Sequence, residues 1–375
     1  MRIFSRKLLI FLIIKIVCKF SEDKKYFLPK LNISKINDSI FGLQLSGNSP
    51  IEDKITISEI NLSTKSYFLS VLDGHGGYEL SDYANNIFLN YFNESYHSYP
   101  EYMIDEKKIT LSLQNTFRRI EKEFLTIVLN QTSKGNKRYS YIGTCVLIGI
   151  INNNKLYIAN LGDSKARLIS INERINIYNS NSNKHVNRNY YSIKKISKVF
   201  NARKQYEQIE LTNKWPSEVD IFLCHKNNPK ACYVKGTLQP TRTLGDFHLK
   251  LKELNKNNLL FNGPYISNKP EINIYKLNKN DKYLVLATDG LWDEIKSSEL
   301  SKLIEKYYKD ENIDKKEEKN IENLSYYILY TILETICENF NITIKKLMKI
   351  SEGKYLRRIH DDISMVIVDI EKLLF

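Results

Sequence analysis

Two apolar segments of the chain end in the same way, in an aspartate that is followed by a glycine. The first is YFLSVLDGHGG, which begins at Tyr67, and the second is KYLVLATDG, which begins at Lys282. Short runs rich in Leu, Val and aromatic residues are typical of buried strands. A single Asp-Gly pair indicates only a turn. Because the unit recurs, with His75 in one copy, we interpret it as a functional site at the ends of two strands.

Other acidic residues also lie where predicted strands begin or end. The full set is Asp73 and Asp289 in the two segments, Asp163 in the turn NLGDSK, Glu52 with Asp53, and Asp361 with Asp362. If these strand ends meet at one edge of the fold, the carboxylates cannot all ionise without a counter-ion. Hard divalent cations bind through oxygen, so the sequence predicts a pair of Mg²⁺ or Mn²⁺ ions. A glycine after the acid lets the backbone turn sharply and approach a metal.

The order of predicted elements indicates an α+β fold. Helical periodicity follows the first strand at Tyr78–Tyr91 and Ile109–Ile127, and it returns at about Ile321–Phe340. The segment TCVLIGIINNNKLYIANLGDSKARLIS predicts an antiparallel meander with turns at Asn152–Asn154 and Leu161–Ser164. Antiparallel strands with paired helices near both ends of the chain predict a four-layer α-β-β-α sandwich, in which two mainly antiparallel sheets are flanked by helices.

Residues 23–375 are predicted to form a single domain that contains one unusual segment. Residues at about 172–232 are rich in Asn, Lys, Ser and Tyr and have weak periodicity. That composition predicts a low-complexity insertion or a long flap.

The first 22 residues form a basic and hydrophobic leader. Arg2, Arg6 and Lys7 precede an apolar run that ends at Cys18 and is interrupted by Lys15. Eleven helical residues rise only about 17 Å, which is short of a bilayer span of roughly 30 Å. A secretory signal or membrane anchor fits best, followed by a presequence for the mitochondrion or another organelle, and then by an ordinary buried helix. We therefore expect membrane contact only through residues 1–20.

Charge and cysteine content exclude other classes. The net charge of +13 comes from Lys and Arg scattered through an Asn-rich background, without a basic stripe, so we expect no nucleic-acid partner. The five cysteines are odd in number and show no C-x-x-C spacing, so neither a disulfide framework nor a zinc site is indicated. We expect them to be reduced and buried.

Six ordered blocks of the sequence carry a family resemblance. They are VLDGHGG, YIGTCVLIGI, YIANLGDSKARL, GTLQPTRTLGDF, LVLATDGLWDEI and HDDISMVIV. In this order they resemble the metal-dependent serine/threonine protein phosphatases of type 2C, from about Phe41 to Ile370. The blocks GNSPIEDK, LQPTRTLGD, GPYISNKPEI and DKYLVLATDGLWD are most similar to the pyruvate dehydrogenase phosphatase branch.

The resemblance implies two metal sites and a third, weaker one, filled by Mg²⁺ or Mn²⁺. Asp73 would bridge the first two ions. The carbonyl of Gly74 and Glu52 would complete one site, and Asp289 and Asp361 the other. Asp53 would act through a metal-bound water, and Asp163 would help to hold the third ion.

The resemblance also implies a reaction and a substrate. A water that bridges two cations would attack the phosphorus of a phosphoserine or phosphothreonine in line. His75 would protonate the leaving alkoxide. The partner would be a phosphorylated protein, and the enzyme would be monomeric.

The sequence departs from the family at two site positions. Most members have an arginine that grips the phosphate four residues before the glutamate, and here that position is Asn48, which lacks a charged fork. The usual Asp-Asn pair near the end of the chain is Asp361 followed by Asp362, which adds a charge beside the metals. The alternative is a pseudophosphatase that keeps the fold as a binding module. Loss of a bridging acid would favour that alternative, and none of these acids is missing.

Overall fold

The computed structural model describes residues 31–179, 184–226, 228–256, 261–309 and 320–375, and within 172–190 and at 229, 230 and 309 it describes the backbone only. The predicted leader at residues 1–22 lies outside these ranges. Of the helices inside them, none combines the length and hydrophobicity that a bilayer span requires.

The first sheet of the described chain has six strands, and every neighbouring pair is antiparallel. Their spatial order is β1 (Leu31–Ile36), β2 (Ile40–Leu45), β14 (Ile363–Asp369), β13 (Asp281–Ala287), β7 (Lys165–Asn179) and β8 (Lys184–Lys195). The last strand of the chain therefore lies in the middle of the sheet, beside β2 and β13.

The second sheet is also antiparallel. Its order is β12 (Glu271–Lys276), β6 (Lys155–Leu161), β5 (Gly143–Asn152), β4 (Lys65–His75) and β3 (Lys54–Asn61), and the short strand β11 (Leu244–Gly245) pairs with β5. Every residue of β5 is buried, because both faces of the sheet are covered.

Helices cover the outer face of each sheet. In chain order the helices of the described chain are α1 (Glu79–His97), α2 (Asp105–Ser133), α3 (Gln205–Lys214), α4 (Asp289–Trp292), α5 (Ser297–Lys309), α6 (Ile321–Phe340), α7 (Ile344–Leu347) and α8 (Ile370–Leu374). Side chains of α1 and α2 pack on the second sheet, and those of α5 and α6 pack on the first.

Side-chain alternation along the strands builds three stacked cores. On β5, Leu147 lies between the two sheets, whereas Ile148 packs toward α1 and α2. On β13, Leu286 lies between the sheets, whereas Val285 packs toward α5 and α6. The predicted four-layer α-β-β-α sandwich is thus confirmed.

The predicted meander is only partly correct. Strands β5 and β6 pair with each other, but β7 joins the first sheet, where it pairs with β13. The turn at Leu161–Ser164 therefore carries the chain from one sheet to the other. Gly162 has φ +120°, and a Cβ at this position would overlap Cys145, so the crossover requires glycine.

The segment at about 172–232 is more regular than its composition suggested. The pair β7 and β8 extends the first sheet as a hairpin, and the insertion or long flap at about 172–232 stays a prediction. The rest of the segment contains α3 and most of a small two-stranded unit, β9 (Phe222–His225) with β10 (Asn228–Val234).

The expectation that all cysteines are reduced is also wrong. Cys224 and Cys232 lie opposite each other on β9 and β10, with Cα atoms 4.0 Å apart, and form a disulfide. Cys145 and Cys337 are free and buried, as expected. Cys18 falls outside the described residues.

Candidate metal centre

Three aspartates from three different elements meet at one edge of the sandwich. Asp73 lies near the end of β4, Asp289 is the first residue of α4, and Asp163 lies in the crossover between β6 and β7. One carboxylate oxygen from each lies within 4.8 Å of the other two. Asp163 is buried, whereas Asp73 and Asp289 are partly exposed, so the cluster is open toward solvent on one side.

Asp73 and Asp289 resist ionisation. Loss of solvent and then the neighbouring carboxylate of Asp289 raise the pKa of Asp73 well above its usual range. Burial, followed by Asp163 and Asp361, raises the pKa of Asp289 to about 8. A bound cation favours the ionised form of such acids, because its positive charge offsets their mutual repulsion once the protons have left.

Glu52 and Asp53 reach the same edge from the segment before β3. Burial and then the charge of Asp362 raise the pKa of Asp53, whose Oδ2 accepts a 2.8 Å hydrogen bond from Thr288 Oγ1. Burial also raises the pKa of Glu52, against the opposing charge of Arg357. Arg357 Nη1 donates to Glu52 Oε2 at 3.0 Å.

Gly74 packs directly against this segment. A Cβ at Gly74 would lie 2.5 Å from the carbonyl oxygen of Glu52 and 2.7 Å from Ser81 Oγ. Only glycine therefore lets the end of β4 approach the backbone that carries Glu52.

Asp361 and Asp362 have different surroundings. The side chain of Asp361 is partly exposed and faces the cluster, where it contributes to the raised pKa of both Asp73 and Asp289. Asp362 is buried and accepts hydrogen bonds from the backbone N–H groups of Gly47, Asn48 and Glu52 at 2.7, 2.8 and 2.8 Å. Its carboxylate thus holds the segment before β3 in place.

Asn48 also faces these acids. It is buried, and its Nδ2 donates to Asp362 Oδ2 at 3.1 Å and to Asp361 Oδ1 at 3.3 Å. Both N–H bonds of this amide are thereby directed to carboxylates of the protein.

His75 lies beside the cluster and pairs with a residue that the sequence analysis did not single out. Its Nε2 is 2.7 Å from Oδ2 of Asp246, whose side chain is 1% exposed. Burial by itself would lower the pKa of His75, but the carboxylate of Asp246 outweighs it and the pKa is raised. Thr243 Oγ1 donates to the same oxygen of Asp246 at 2.7 Å.

Two further residues of the site carry no local sequence signal. Asn201 Nδ2 donates to Asp163 Oδ2 at 2.6 Å, and Cys145 Sγ lies 3.3 Å from Asp163 Oδ1. Asn201 belongs to a segment whose composition predicted only a flap, and Cys145 lies within a strand. Asp246 lies in the block GTLQPTRTLGDF, which the sequence analysis quoted. The block alone does not reveal that Asp246 contacts His75.

Comparisons with known proteins identify the family of the chain. The sequence model of the protein phosphatase 2C family matches residues 45–189 and 226–330, which is more than half of the chain. The chain is 25% identical over 338 residues to probable protein phosphatase 2C 64 of Arabidopsis thaliana, covering 86% of this chain and 75% of the relative. It is 26% identical over 341 residues to probable protein phosphatase 2C 72 of Oryza sativa subsp. japonica, covering 86% and 77%. These names do not bear on the pyruvate dehydrogenase phosphatase branch, which stays a prediction.

Solved structures share the fold. The serine-threonine phosphatase 2C from Toxoplasma gondii superimposes with a TM-score of 0.56 at 13% identity, covering 90% of this chain and 98% of that chain. A sex determining protein of C. elegans superimposes with a TM-score of 0.57 at 18% identity, covering 90% and 66%.

Proposed function

The chain belongs to the protein phosphatase 2C family, and on that premise we propose that it hydrolyses phosphoserine and phosphothreonine in phosphoproteins with the help of divalent cations. The observation that carries the proposal is the cluster of Asp73, Asp163 and Asp289, whose oxygens lie within 4.8 Å of one another. Oxygen donors at this spacing and with this charge suit Mg²⁺ or Mn²⁺.

The residues present fit two cations and a third, weaker one. In our proposal Asp73, Glu52 and the carbonyl of Gly74 would hold one ion, and Asp73, Asp289 and Asp361 would hold the other. Asp53 would act through a water, and Asp163 would contribute to the third ion. The raised pKa values of Asp73, Asp53 and Asp289 support this assignment, because burial and the neighbouring carboxylates disfavour the ionised form of each, and a bound cation would offset both effects.

Bound cations would acidify a shared water for in-line attack on phosphorus and would offset the charge of the phosphate. The chain itself supplies the proton for the leaving group. His75 carries that proton on its imidazole, and Asp246 holds the ring in position and favours its protonated form. The proton passes from His75 to the serine or threonine oxygen as the bond from that oxygen to phosphorus breaks.

A pseudophosphatase is the less favoured alternative. Such a protein keeps the fold but lacks ligands or the general acid. Here the acids and His75 are all present, and the three acids of the cluster converge on one small volume.

The proposal is tested by hydrolysis of p-nitrophenyl phosphate and of a phosphothreonine peptide, with Mn²⁺ or Mg²⁺ and then with excess EDTA. We expect turnover with metal and none with chelator. Asp73→Ala should abolish turnover, whereas Glu59→Ala, which removes an exposed acid from the same sheet, should not. Metal-independent turnover, or turnover by Asp73→Ala near that of the wild type, would contradict the proposal.

The leader, the compartment and the oligomeric state remain proposals of their own. We propose that residues 1–22 direct the protein to the secretory pathway or to a membrane. Residues 1–30 fused to a fluorescent reporter should then mark that compartment, and a mitochondrial signal would contradict it. We propose a monomer, which light scattering of the purified chain tests.

A further inference from the structure

Arg357 stands at the solvent side of the metal centre. Its Nη1 donates to Glu52 Oε2 at 3.0 Å, and its Nε lies 3.6 Å from Asp361 Oδ1. The side chain is 44% exposed, whereas that of Glu52 is 13% exposed. The guanidinium therefore covers the carboxylates from the solvent side.

Backbone contacts fix the position of Arg357. Arg357 belongs to a single 3₁₀ turn, Leu356–Arg358, and Leu356 is buried in the core under the first sheet. The N–H of Arg357 donates to the carbonyl of Gly353 at 2.9 Å, and the N–H of Gly353 donates to the carbonyl of Gly47 at 2.9 Å. The turn is thus tied to the segment that carries Asn48 and Glu52.

Asn48 is poorly placed to bind a phosphate. Its amide nitrogen already donates to Asp361 and Asp362, and the residue is buried. Of the cationic side chains in the described ranges, Arg357 is the one that forms ion pairs with Glu52 and Asp361.

The chemistry of the guanidinium suits a phosphate. It carries five N–H donors in a planar fork, and Glu52 is the acceptor of its one recorded side-chain hydrogen bond within the described chain. Carboxylates and phosphates both present paired oxygens at the spacing of this fork, which makes bidentate contacts that lysine cannot reproduce. A guanidinium that already lies on carboxylates at the site is therefore near the orientation that a phosphate requires.

We propose that Arg357 is the residue that binds the non-bridging oxygens of the phosphomonoester, in place of the amide of Asn48. This inference rests on the proposed phosphatase function, and it names the side chain that recognises the substrate's phosphate. Arg357 contributes to substrate and product binding, and the residues of the metal centre carry the chemistry.

A purely structural role makes different predictions. If Arg357 only held Glu52 and Asp361 in place, its loss would weaken metal binding and lower kcat. If it binds phosphate, its loss raises KM and weakens the binding of inorganic phosphate. The affinity for Mn²⁺ is then kept or increased, because a cation that competes for the carboxylates has been removed.

The test compares Arg357→Ala, Arg357→Lys and the control Arg358→Ala, which removes an exposed arginine from the same turn. Three quantities are measured on each full-length protein: kcat and KM for p-nitrophenyl phosphate, the Kd of inorganic phosphate by calorimetry with saturating Mn²⁺, and the Kd of Mn²⁺ alone. Thermal unfolding checks that each variant is folded.

We expect Arg357→Ala to raise KM and the phosphate Kd by about 10- to 100-fold, as for loss of a charged hydrogen-bond partner. For Arg357→Lys, KM and the phosphate Kd should lie between those of Arg357→Ala and the wild type. For Arg358→Ala, both should equal the wild-type values. Unchanged KM and phosphate Kd in Arg357→Ala, or a loss of Mn²⁺ affinity together with kcat, would overturn the inference.

The phosphate titration separates this inference from the proposed function. If the wild type binds phosphate, Arg357→Ala weakens that binding, and no variant hydrolyses esters, then the assignment of Arg357 stands and the phosphatase proposal fails. If the wild type hydrolyses esters and Arg357→Ala binds phosphate normally, only the assignment of Arg357 fails.

Discussion

Nε2 of His75 lies 2.7 Å from Oδ2 of Asp246, although the two residues are 171 positions apart in the chain. The pair exists because β4 ends beside Gly143, the first residue of β5, which pairs with β11 just before Asp246. A Cβ on Gly143 would overlap both of the paired atoms. The absence of a side chain at Gly143 thus makes room for the contact.

Gly143→Ala is therefore predicted to separate His75 from Asp246. Since the added methyl occupies the space between the two side chains, we expect kcat to fall by about 100-fold, the lower end of the range for general acid catalysis. The matched control is Gly149→Ala on the same strand, where the nearest atom to the new Cβ is the tip of Leu286 at 3.3 Å. Equal activity of the two variants would show that the contact does not matter.

The His75–Asp246 pair should also stabilise the metal-free protein in a defined pH window. The pKa of Asp246 is lowered in the fold, because the charge of His75 outweighs burial, so its contribution is present above about pH 4 and is lost at lower pH. The pKa of His75 is raised, so its contribution is complete below about pH 6.5 and is lost as the pH rises through the folded value.

Asp246→Asn should therefore lower the free energy of unfolding most at about pH 5 to 6, by roughly 1.5 to 3 kcal/mol for a hydrogen bond between charged groups. At pH 9 the difference should be smaller. Urea unfolding in EDTA measures both values. If the difference in free energy of unfolding between the wild type and Asp246→Asn grew with pH, this role of the pair would be contradicted.

Without metal, the stability of the protein should fall as the pH rises from 6 to 9. Asp289 has a pKa of about 8 in the fold and an ordinary acidic value in the unfolded chain, so its protonated form favours folding. In EDTA we expect Tm to fall by about 5 °C or more between pH 6 and pH 9. Saturating Mn²⁺ should remove most of this slope, and Asp289→Asn in EDTA should reduce it. If Tm depended on pH equally in Asp289→Asn and in the wild type, groups other than Asp289 would cause the slope.

Asp362 should be important for stability as well as for charge at the site. Its carboxylate accepts N–H groups from Gly47, Asn48 and Glu52, and Asp362→Ala would leave these donors without it. We expect a loss of about 2 kcal/mol or more in the free energy of unfolding, measured with urea. Ser364→Ala, at a buried neighbour on β14 whose hydroxyl accepts from Gln44 and hydrogen-bonds the carboxylate of Asp53, should cost less because it leaves fewer donors without a partner. Equal losses would contradict this role.

The parts of the fold that depend on local sequence were predictable. Helix α6 spans Ile321–Phe340, as its periodicity predicted, because Asn320 caps its first turn and Asn341 leaves the helix in a left-handed conformation. The strands that lead to Asp73 and Asp289 were also recognisable, because each is a short apolar run followed by a turn residue.

The parts that depend on pairing between distant segments were not predictable. The turn at Leu161–Ser164 looks like a hairpin locally, and only the pairing of β7 with β13 shows that it changes sheets. The disulfide between Cys224 and Cys232 follows from the pairing of β9 with β10, which spacing alone does not reveal. In the site, the acids at strand ends were visible in the sequence, whereas the partners of His75 and Asp163 were not.

The most direct test of the central claim is calorimetric titration of Mn²⁺ into the metal-free protein. If the acids around Asp73 form one cation site, the wild type should bind at least two ions. Asp73→Ala should lose the shared ligand and bind neither of them with comparable affinity, while its Tm in EDTA is unchanged or higher, because a repelling carboxylate has been removed. Absence of binding by the wild type, or identical isotherms for the two proteins, would contradict the account.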